Sequence, residues 1–441
     1  MPKHERPYAR SMRVCILAVA GYVHGIGGMQ QHTSDLAVGL VRAGHDVDVV
    51  TARHPEGDEL VERDGVRWHF VDAPPRHMDP RWRAKSLERF LQLHGERPFD
   101  VVHGEGSSAL ELLRAGVHKQ VPVVTLFHGN FLGLARAACR RVIAARRPRP
   151  ALSELRGLIW LCGQHFPHGN WRRFKSCEAM VPSAQQLIDT RRSHRLEQRY
   201  LHVVPNGIDT DVFRPIDPQE ARIALGLPQG PLLVSVGRLS REKGVHHAVA
   251  AVARLRDEGS NASLVVVGDG AERESLERLA RDINVEDRTI FVGAQAPEAV
   301  ARYLGAADIF VFPTERDEAA PLVLPQAMAC GLAVVASRIG GIEEVLDRPG
   351  PPGVLVRPGD LDDLTATLRR LMSDDSERVR LGRCALEVAQ AEYSVAVMVE
   401  RTVSVYETAR SRFEHDAGSG RRRNGHRPRD SRFVRHDVAD S

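Results

Sequence analysis

Short apolar runs alternate with segments of helical period along almost the whole of this chain, and that alternation leaves few folds open to it. In the first half, residues 14–20, 47–51, 66–71, 100–103, 121–127 and 179–181 read as strands. A helix is predicted from about Met29 to Arg42, where Gly44 stops it, and another opens at Ser183, a natural N-cap. Strands joined through helices pair in parallel, so the expected fold class is α/β. The pattern breaks into turn chemistry at Pro205-Asn206-Gly207 and then restarts. Residues 232–236, 264–267, 289–292, 309–312, 333–336 and 353–356 form the second strand series, closed by helices from about Leu361 and Glu377. A last helical stretch, about Ser394 to Arg412, has no strand after it and is free to pack elsewhere. The expectation is two doubly wound, Rossmann-like domains, residues 11–207 and 208–389. Such domains bind ligands beyond the carboxyl ends of their strands, so function is sought in the loops that follow strands.

A chain of 441 residues is too long for one ordinary core, which agrees with two domains. Its net charge is only +4 and is concentrated in local runs, leaving no overall footprint for nucleic acid. The six cysteines (Cys15, Cys139, Cys162, Cys177, Cys330 and Cys384) are scattered without a C-x-x-C pair and read as reduced thiols of a cytoplasmic protein. Residues 1–10 carry no apolar core, and no window approaches 18 apolar residues, so neither a signal peptide nor a membrane span is expected. Residues 414–441 are expected to form a disordered basic tail, in which Arg421-Arg422-Arg423 suits plain solvent or an acidic surface.

Four loops carry candidate chemistry. After the first strand, GYVHGIGGMQQH places Gly25, Gly27 and Gly28 at a helix start. Glycines let the backbone approach a bound group, and the free N–H groups favour an anion; a merely flexible turn is the plainer reading. The dinucleotide fingerprint is not met, because no third glycine follows at the right offset and Thr51-Ala52-Arg53 offers no acid to a ribose. His128 ends another strand, with Gly129 and Asn130 behind it, where it either donates to a sugar hydroxyl or is an ordinary loop histidine. The second series opens LLVSVGRLSREKGVHHAV, with Arg238 and Lys243 around a turn that leads into a helix. Two cations at a helix start suit a diphosphate; the alternative is a solvated basic loop. Arg241, between them, can replace either or pair with Glu242 or Asp257.

The fourth loop is TERDEAAPLVLPQAMACGLAVVAS, residues 314–337. Glu318 lies in an acidic loop, and Pro321 suits a helix start because it has no N–H to satisfy. The N–H groups of Leu322 and Val323 are then free for phosphate oxygens, while Glu318 accepts from sugar hydroxyls. Gln326, eight positions after Glu318, is placed one turn into the helix to meet a ribose. Glu315 and Asp317 compete for the acidic role. Asp46-Val47-Asp48 is formally a D-x-D, but it falls on a predicted strand whose faces alternate, and a structural role is expected of it.

In this order, GGMQQHTSDLAVGLVRAGHDVDVVT, FHG, PNGIDTDVFRP, VGRLSREKG, VVVGDGAERESL, AADIFVFPTERDEAAPLVLPQAMACGLAVVAS, GGIEEVL and GVLVRPGD resemble the retaining GT-B nucleotide-sugar glycosyltransferases of the family 4 group, over about residues 12–410. The resemblance implies two Rossmann-like domains facing across a cleft. The first would bind the acceptor and the second the donor, with the last helix, 390–412, returning to the first. Carried over by position, Arg238 and Lys243 would hold the donor diphosphate, Glu318 would contact the donor sugar, Gly28 would face the phosphates and His128 would touch the sugar near the reacting carbon. A hexosyl unit would move with retention through an oxocarbenium-like transition state. No cofactor or metal is expected besides the nucleotide-diphosphate sugar, because fixed cations stabilise the leaving charge.

The family pattern has a second glutamate where this chain has Gln326. A carboxylate accepts from both ribose hydroxyls, whereas an amide accepts once and donates once, a difference of about 1 kcal/mol. A live enzyme with a retuned nucleotide contact is expected. The rival readings are a non-catalytic GT-B module that binds a ligand or partner, and a sugar-nucleotide epimerase on the same fold. The acceptor would be a glycan, a lipid-linked group or a small molecule. Residues 131–171 combine Arg136, Arg140, Arg141, Arg146, Arg147 and Arg149 with Trp160. That composition suits a solvated helix face or peripheral contact with an anionic inner membrane.

Overall fold

A computed structural model describes residues 10–25, 27–76, 79–106, 108–128, 173–194, 196–316 and 318–418. The first sheet contains β1 (Arg13–Leu17), β2 (Asp46–Thr51), β3 (Leu60–Arg63), β4 (Val66–Phe70), β5 (Val101–Glu105), β6 (Val123–Leu126), β7 (Glu178–Val181) and β8 (Leu201–Val203). Their order across the sheet is β3-β4-β2-β1-β5-β6-β7-β8. The second contains β9 (Leu232–Val236), β10 (Ser263–Val267), β11 (Thr289–Gly293), β12 (Ile309–Phe312), β13 (Ala333–Ser337) and β14 (Gly353–Val356), ordered β11-β10-β9-β12-β13-β14. All strand pairs are parallel except β3 with β4. The chain is therefore α/β, with two Rossmann-like parallel sheets. In each, the order reverses beside the first strand, between β1 and β5 and between β9 and β12, which opens a crevice at the strand ends there.

Alternate strand residues feed cores on opposite faces, as the two-residue period requires. In β1, Cys15 and Leu17 join one core while Val14 and Ile16 join the other. In β9, Leu232 and Val234 face one core and Leu233 the other. The last helix, Val395–Gly418, packs Val399, Val403 and Tyr406 into the core that holds Val14, Ile16 and Leu36, so it lies on the first sheet. The two crossings of the chain between the sheets pair with each other. Ile208 N donates to Tyr393 O at 2.7 Å, and Val395 N donates to Ile208 O at 3.0 Å.

Several details differ from the sequence reading. Strands β3 and β8 were not expected. The signal for β3 was the Asp64-Gly65 pair, whose φ angles of 54° and 78° make a tight hairpin turn with both residues left-handed. β8 has only three residues, too few to show a period. The last helix continues through Gly418, so residues 414–418 are helical where a tail was expected; residues 419–441 lie outside the described residues, as do 131–171, Asp317, Cys139 and Cys162. Asp46 and Asp48 do not face opposite ways. As residues i and i+2 of one strand they share a face, and Arg67 bridges both carboxylates. Asp48 is buried, which alone would raise its carboxyl, but His69, Arg67 and Arg13 together hold it well below the usual carboxylate range. The role is structural.

Candidate functional site

On the second sheet, β9 leads through Gly237 to Arg238, whose side chain is exposed and has no ion-pair partner among the described residues. A 3-10 turn, Arg241–Lys243, follows, and Gly244 joins it to the helix Val245–Asp257. Gly244 has φ +70°, and a Cβ there would lie 1.9 Å from Pro313 O, so only glycine lets this turn seat against the end of β12. Thr314 Oγ1 and Glu315 N then donate to Glu242 O at 3.1 and 2.8 Å, fixing the acidic loop to the basic turn. The consequence is a direct contact: Lys243 Nζ donates to Glu318 Oε1 at 2.7 Å, and lies 5.2 Å from the centroid of the Phe312 ring. Glu318 is held from behind as well, because its carbonyl accepts from Gly341 N at 2.9 Å.

Of the two competitors for the acidic role, Glu315 turns toward His247, with Oε1 2.9 Å from Nε2, and Asp317 lies outside the described residues. Glu242 meets Arg316 at 3.7 Å and Asp257 meets Arg256 at 2.6 Å.

The helix after the acidic loop is Val323–Ala329, with Leu322 at its N-cap. Pro321 therefore precedes the cap rather than occupying the first helical turn. The N–H groups of Leu322 and Val323 have no acceptor among the described residues, as expected at a helix start without a side-chain cap. Gln326 follows on that helix, half-buried, with no side-chain hydrogen bond among the described residues. Across the cleft, Gly28 begins the helix Gly28–Arg42, and a Cβ on it would lie 3.4 Å from Leu322 Cδ1. Two helix starts thus oppose each other, one from each sheet. The sheets are also joined through Asn206 Nδ2, which donates to Ala320 O at 3.3 Å, and through Glu344, which accepts from Ala184 N with both oxygens at 2.9 Å.

His128 does not stand alone. Its Nε2 bonds to Glu105 Oε2, and Glu105 is buried at the carboxyl end of β5. His32, one turn into the first helix, places its ring centroid 5.0 Å from that of His128 and its Nε2 3.7 Å from Glu105 Oε1. His103 Nε2 lies 3.5 Å from the same oxygen, and His103 Nδ1 is 2.6 Å from Tyr406 Oη. Burial alone would raise the Glu105 carboxyl, but the imidazoles around it, His128 first through its hydrogen bond and its charge, turn the balance the other way and lower it. Burial pushes His32 down to about 3, so this imidazole is neutral. His32, Glu105 and His128 offer ligand atoms within 4.8 Å of one another.

The structure thus brings Lys243 to Glu318 and Gly28 to Leu322, and surrounds His128 with Glu105 and His32. Among the described residues no hydrogen bond or ion pair links His128 to the second-sheet group. Sequence reasoning did not find Glu105, His32 or Glu344. Glu105 sits in the run VVHGEG at the end of a strand, the position that draws attention in doubly wound folds, and that was the available signal.

Residues 26–212 match the family described as Glycosyltransferase Family 4, and residues 218–388 match that described as Glycosyl transferases group 1. The chain is 28% identical over 437 residues to the MMP alpha-(1->4)-mannosyltransferase of Mycolicibacterium hassiacum, covering 91% of this chain and 99% of that protein. It is 31% identical over 202 residues to the 2-deoxystreptamine glucosyltransferase of Streptomyces kanamyceticus, covering 45% of this chain and 52% of that protein. Among solved structures, a sucrose-phosphate synthase from Thermosynechococcus elongatus superposes with a TM-score of 0.72 at 25% identity, over 91% of this chain and 100% of that one.

Proposed function

Since the chain belongs to the family 4 glycosyltransferases of GT-B architecture, we propose that it transfers a hexosyl unit from a nucleotide-diphosphate sugar with retention of configuration and without a metal. The observation that carries this reading is the contact of Lys243 with Glu318, which joins the loops that follow β9 and β12 at the crevice between those strands. Arg238 and Lys243 would take the diphosphate and stabilise it as it departs. The N–H groups of Leu322 and Val323 would add donors to the phosphate oxygens, with Gly28 close enough across the cleft for backbone approach. Glu318 would turn to the sugar hydroxyls, Gln326 to the ribose, and His128 to the sugar from the opposite wall. Asp46 and Asp48 are taken up by arginines, which supports chemistry that does not use their D-x-D as a metal site.

The first domain, residues 11–207 with the last helix, would take the acceptor, and residues 208–389 the donor. The acceptor would be a glycan, a lipid-linked group or a small molecule, and the enzyme cytoplasmic. No helix among the described residues is long and apolar enough to cross a membrane. Peripheral membrane contact through residues 131–171 is the further part of the proposal. Co-sedimentation with anionic vesicles, compared between wild type and an Arg146→Ala/Arg147→Ala variant, tests it, and equal partitioning rejects it.

The function is tested with a thermal-shift panel of UDP-, GDP- and ADP-sugars, followed by release of nucleoside diphosphate with the donor that binds. Binding with no release under any acceptor would reject transfer and leave a binding module. Interconversion of the donor sugar without an acceptor would reject transfer in favour of an epimerase.

A further inference from the structure

One carboxylate lies among three imidazoles and a phenol at the floor of the first sheet's crevice. We propose that Glu105 is a positioning residue that fixes His128 as the tautomer protonated at Nε2, so that Nδ1 is the nitrogen left for the sugar. The functional meaning of this rests on the reading of the chain as a glycosyltransferase whose donor sugar meets His128.

The geometry is specific. Glu105 is 1% exposed on its side chain and His128 is 20% exposed, so the carboxylate closes the inner side of the imidazole and leaves its outer side open. An ionised carboxylate has no hydrogen to give. The bond between Glu105 Oε2 and His128 Nε2 therefore requires the proton on Nε2. His128 Nδ1 has no partner among the described residues, and with Nε2 engaged it is the nitrogen a hydroxyl can reach.

The surroundings explain why Glu105 stays ionised. A carboxyl group buried alone takes up a proton, and a protonated Glu105 would donate to Nε2 and reverse the tautomer. Here His32 comes from the first helix, His103 from β5 itself and Tyr406 from the last helix, and all face the same group. If Tyr406 donates its hydroxyl proton to His103 Nδ1, the proton of His103 sits on Nε2, directed at Glu105 Oε1 3.5 Å away. His32 Nε2, at 3.7 Å, flanks the same oxygen. Neither separation is a hydrogen bond, but at these distances an N–H dipole pointed at the oxygen favours its negative charge. The last helix thus reaches the site through Tyr406 and His103.

The test is the side-chain ¹⁵N spectrum of histidine-labelled full-length protein, recorded above the imidazole titration, with His128→Gln used to identify the signal. The expected result is an Nε2–H pattern for His128. An Nδ1–H pattern in the wild type would overturn the proposal by itself, even if no Glu105 variant folds. In Glu105→Gln, of the same volume, the amide can donate or accept, so the pattern should become mixed. The value of kcat should then fall roughly 10- to 100-fold, as when the group orienting an imidazole is removed. KM for the donor should change less than about threefold, and the acid limb of the pH profile should move, because Glu105→Gln removes the one charge that His32, His103, Tyr406 and His128 face. Glu105→Asp, which keeps the charge, should restore the Nε2–H pattern and part of kcat. A folded Glu105→Gln protein with an unchanged tautomer and pH profile would also overturn the proposal. An Nε2–H pattern in a protein that turns over no donor would instead reject the glycosyltransferase reading and leave the role of Glu105 standing.

Discussion

Lys243 and Glu318, which the proposed function assigns to the diphosphate and the sugar of one ligand, are bonded to each other at 2.7 Å. Both are partly solvated, at 20% and 14% side-chain exposure, so the pair is worth about 1 kcal/mol or less, and a donor carrying two phosphates can outbid it. Glu318→Gln should free Lys243. Calorimetry should then show nucleoside diphosphate affinity unchanged or up to about fivefold tighter, while turnover falls about 100-fold because the sugar hydroxyls lose a charged, twofold acceptor. Lys243→Met should weaken the nucleotide at least tenfold. Weaker nucleotide binding in Glu318→Gln would show that the two residues do not compete.

Gln326→Glu should tighten the donor by about 1 kcal/mol, roughly fivefold in Kd, by offering two acceptors to the ribose. The comparison is a calorimetric titration of both proteins with the same nucleotide. Equal affinity, with Gln326 away from the ribose in a complex, removes Gln326 from the site.

Glu344 caps a helix of the other domain. It accepts from Ala184 N at 2.9 Å and from Gln185 N at 3.3 Å, at the start of Ala184–His194, where a negative charge also meets the helix dipole. Glu344→Ala should cost about 1 kcal/mol and let the domains part. Small-angle scattering should report a larger radius of gyration, and KM for the donor should rise a few-fold. An unchanged radius and KM would show that the contact does not hold the cleft.

Asp35 gives a pH signature. Burial raises its carboxyl to about 7, against the opposing hydrogen bond from Gln31 and with Asp209 adding to the rise. The folded protein therefore holds a proton that the unfolded chain releases near pH 4. The stabilisation is complete below that pH and is lost as pH rises toward 7. The stability of wild type less that of Asp35→Asn, from urea unfolding, should decline by about 2 kcal/mol over this window, discounted for partial solvation, because the opposite slope of the buried His32 is common to both proteins and cancels. A difference that stays flat in this window would mean that Asp35 is solvated.

Excess EDTA should leave turnover unchanged, since Arg238 and Lys243 are cations built into the chain. The check is a rate measured before and after chelation. Activity lost to EDTA and restored by Mg²⁺ or Mn²⁺ would overturn metal independence.

How far the sequence could be read follows from the range of each signal. The run at residues 309–312 matched β12 to the residue, because a continuous apolar stretch between turn residues is a local pattern. The four-residue β3 was missed because an exposed edge strand has no apolar run to show. Arg238, Lys243, Glu318 and His128 were legible as candidates because doubly wound domains place function after strands. Their partners were not. Glu105 lies 23 residues from His128, Lys243 lies 75 from Glu318, and Glu344 lies 160 from Ala184.

The sequence by itself determined two strand series, the parallel class and the loops where ligand chemistry belongs, since periods of 2 and 3.6 residues and glycine turns are local properties. Only the tertiary structure decided that Lys243 holds Glu318, that Glu105 and His32 enclose His128, and that Glu344 reaches across to another helix. Those pairings depend on strand order, helix packing and, for Glu344, the paired crossings at Ile208 and Val395, which bring distant side chains to within 4 Å.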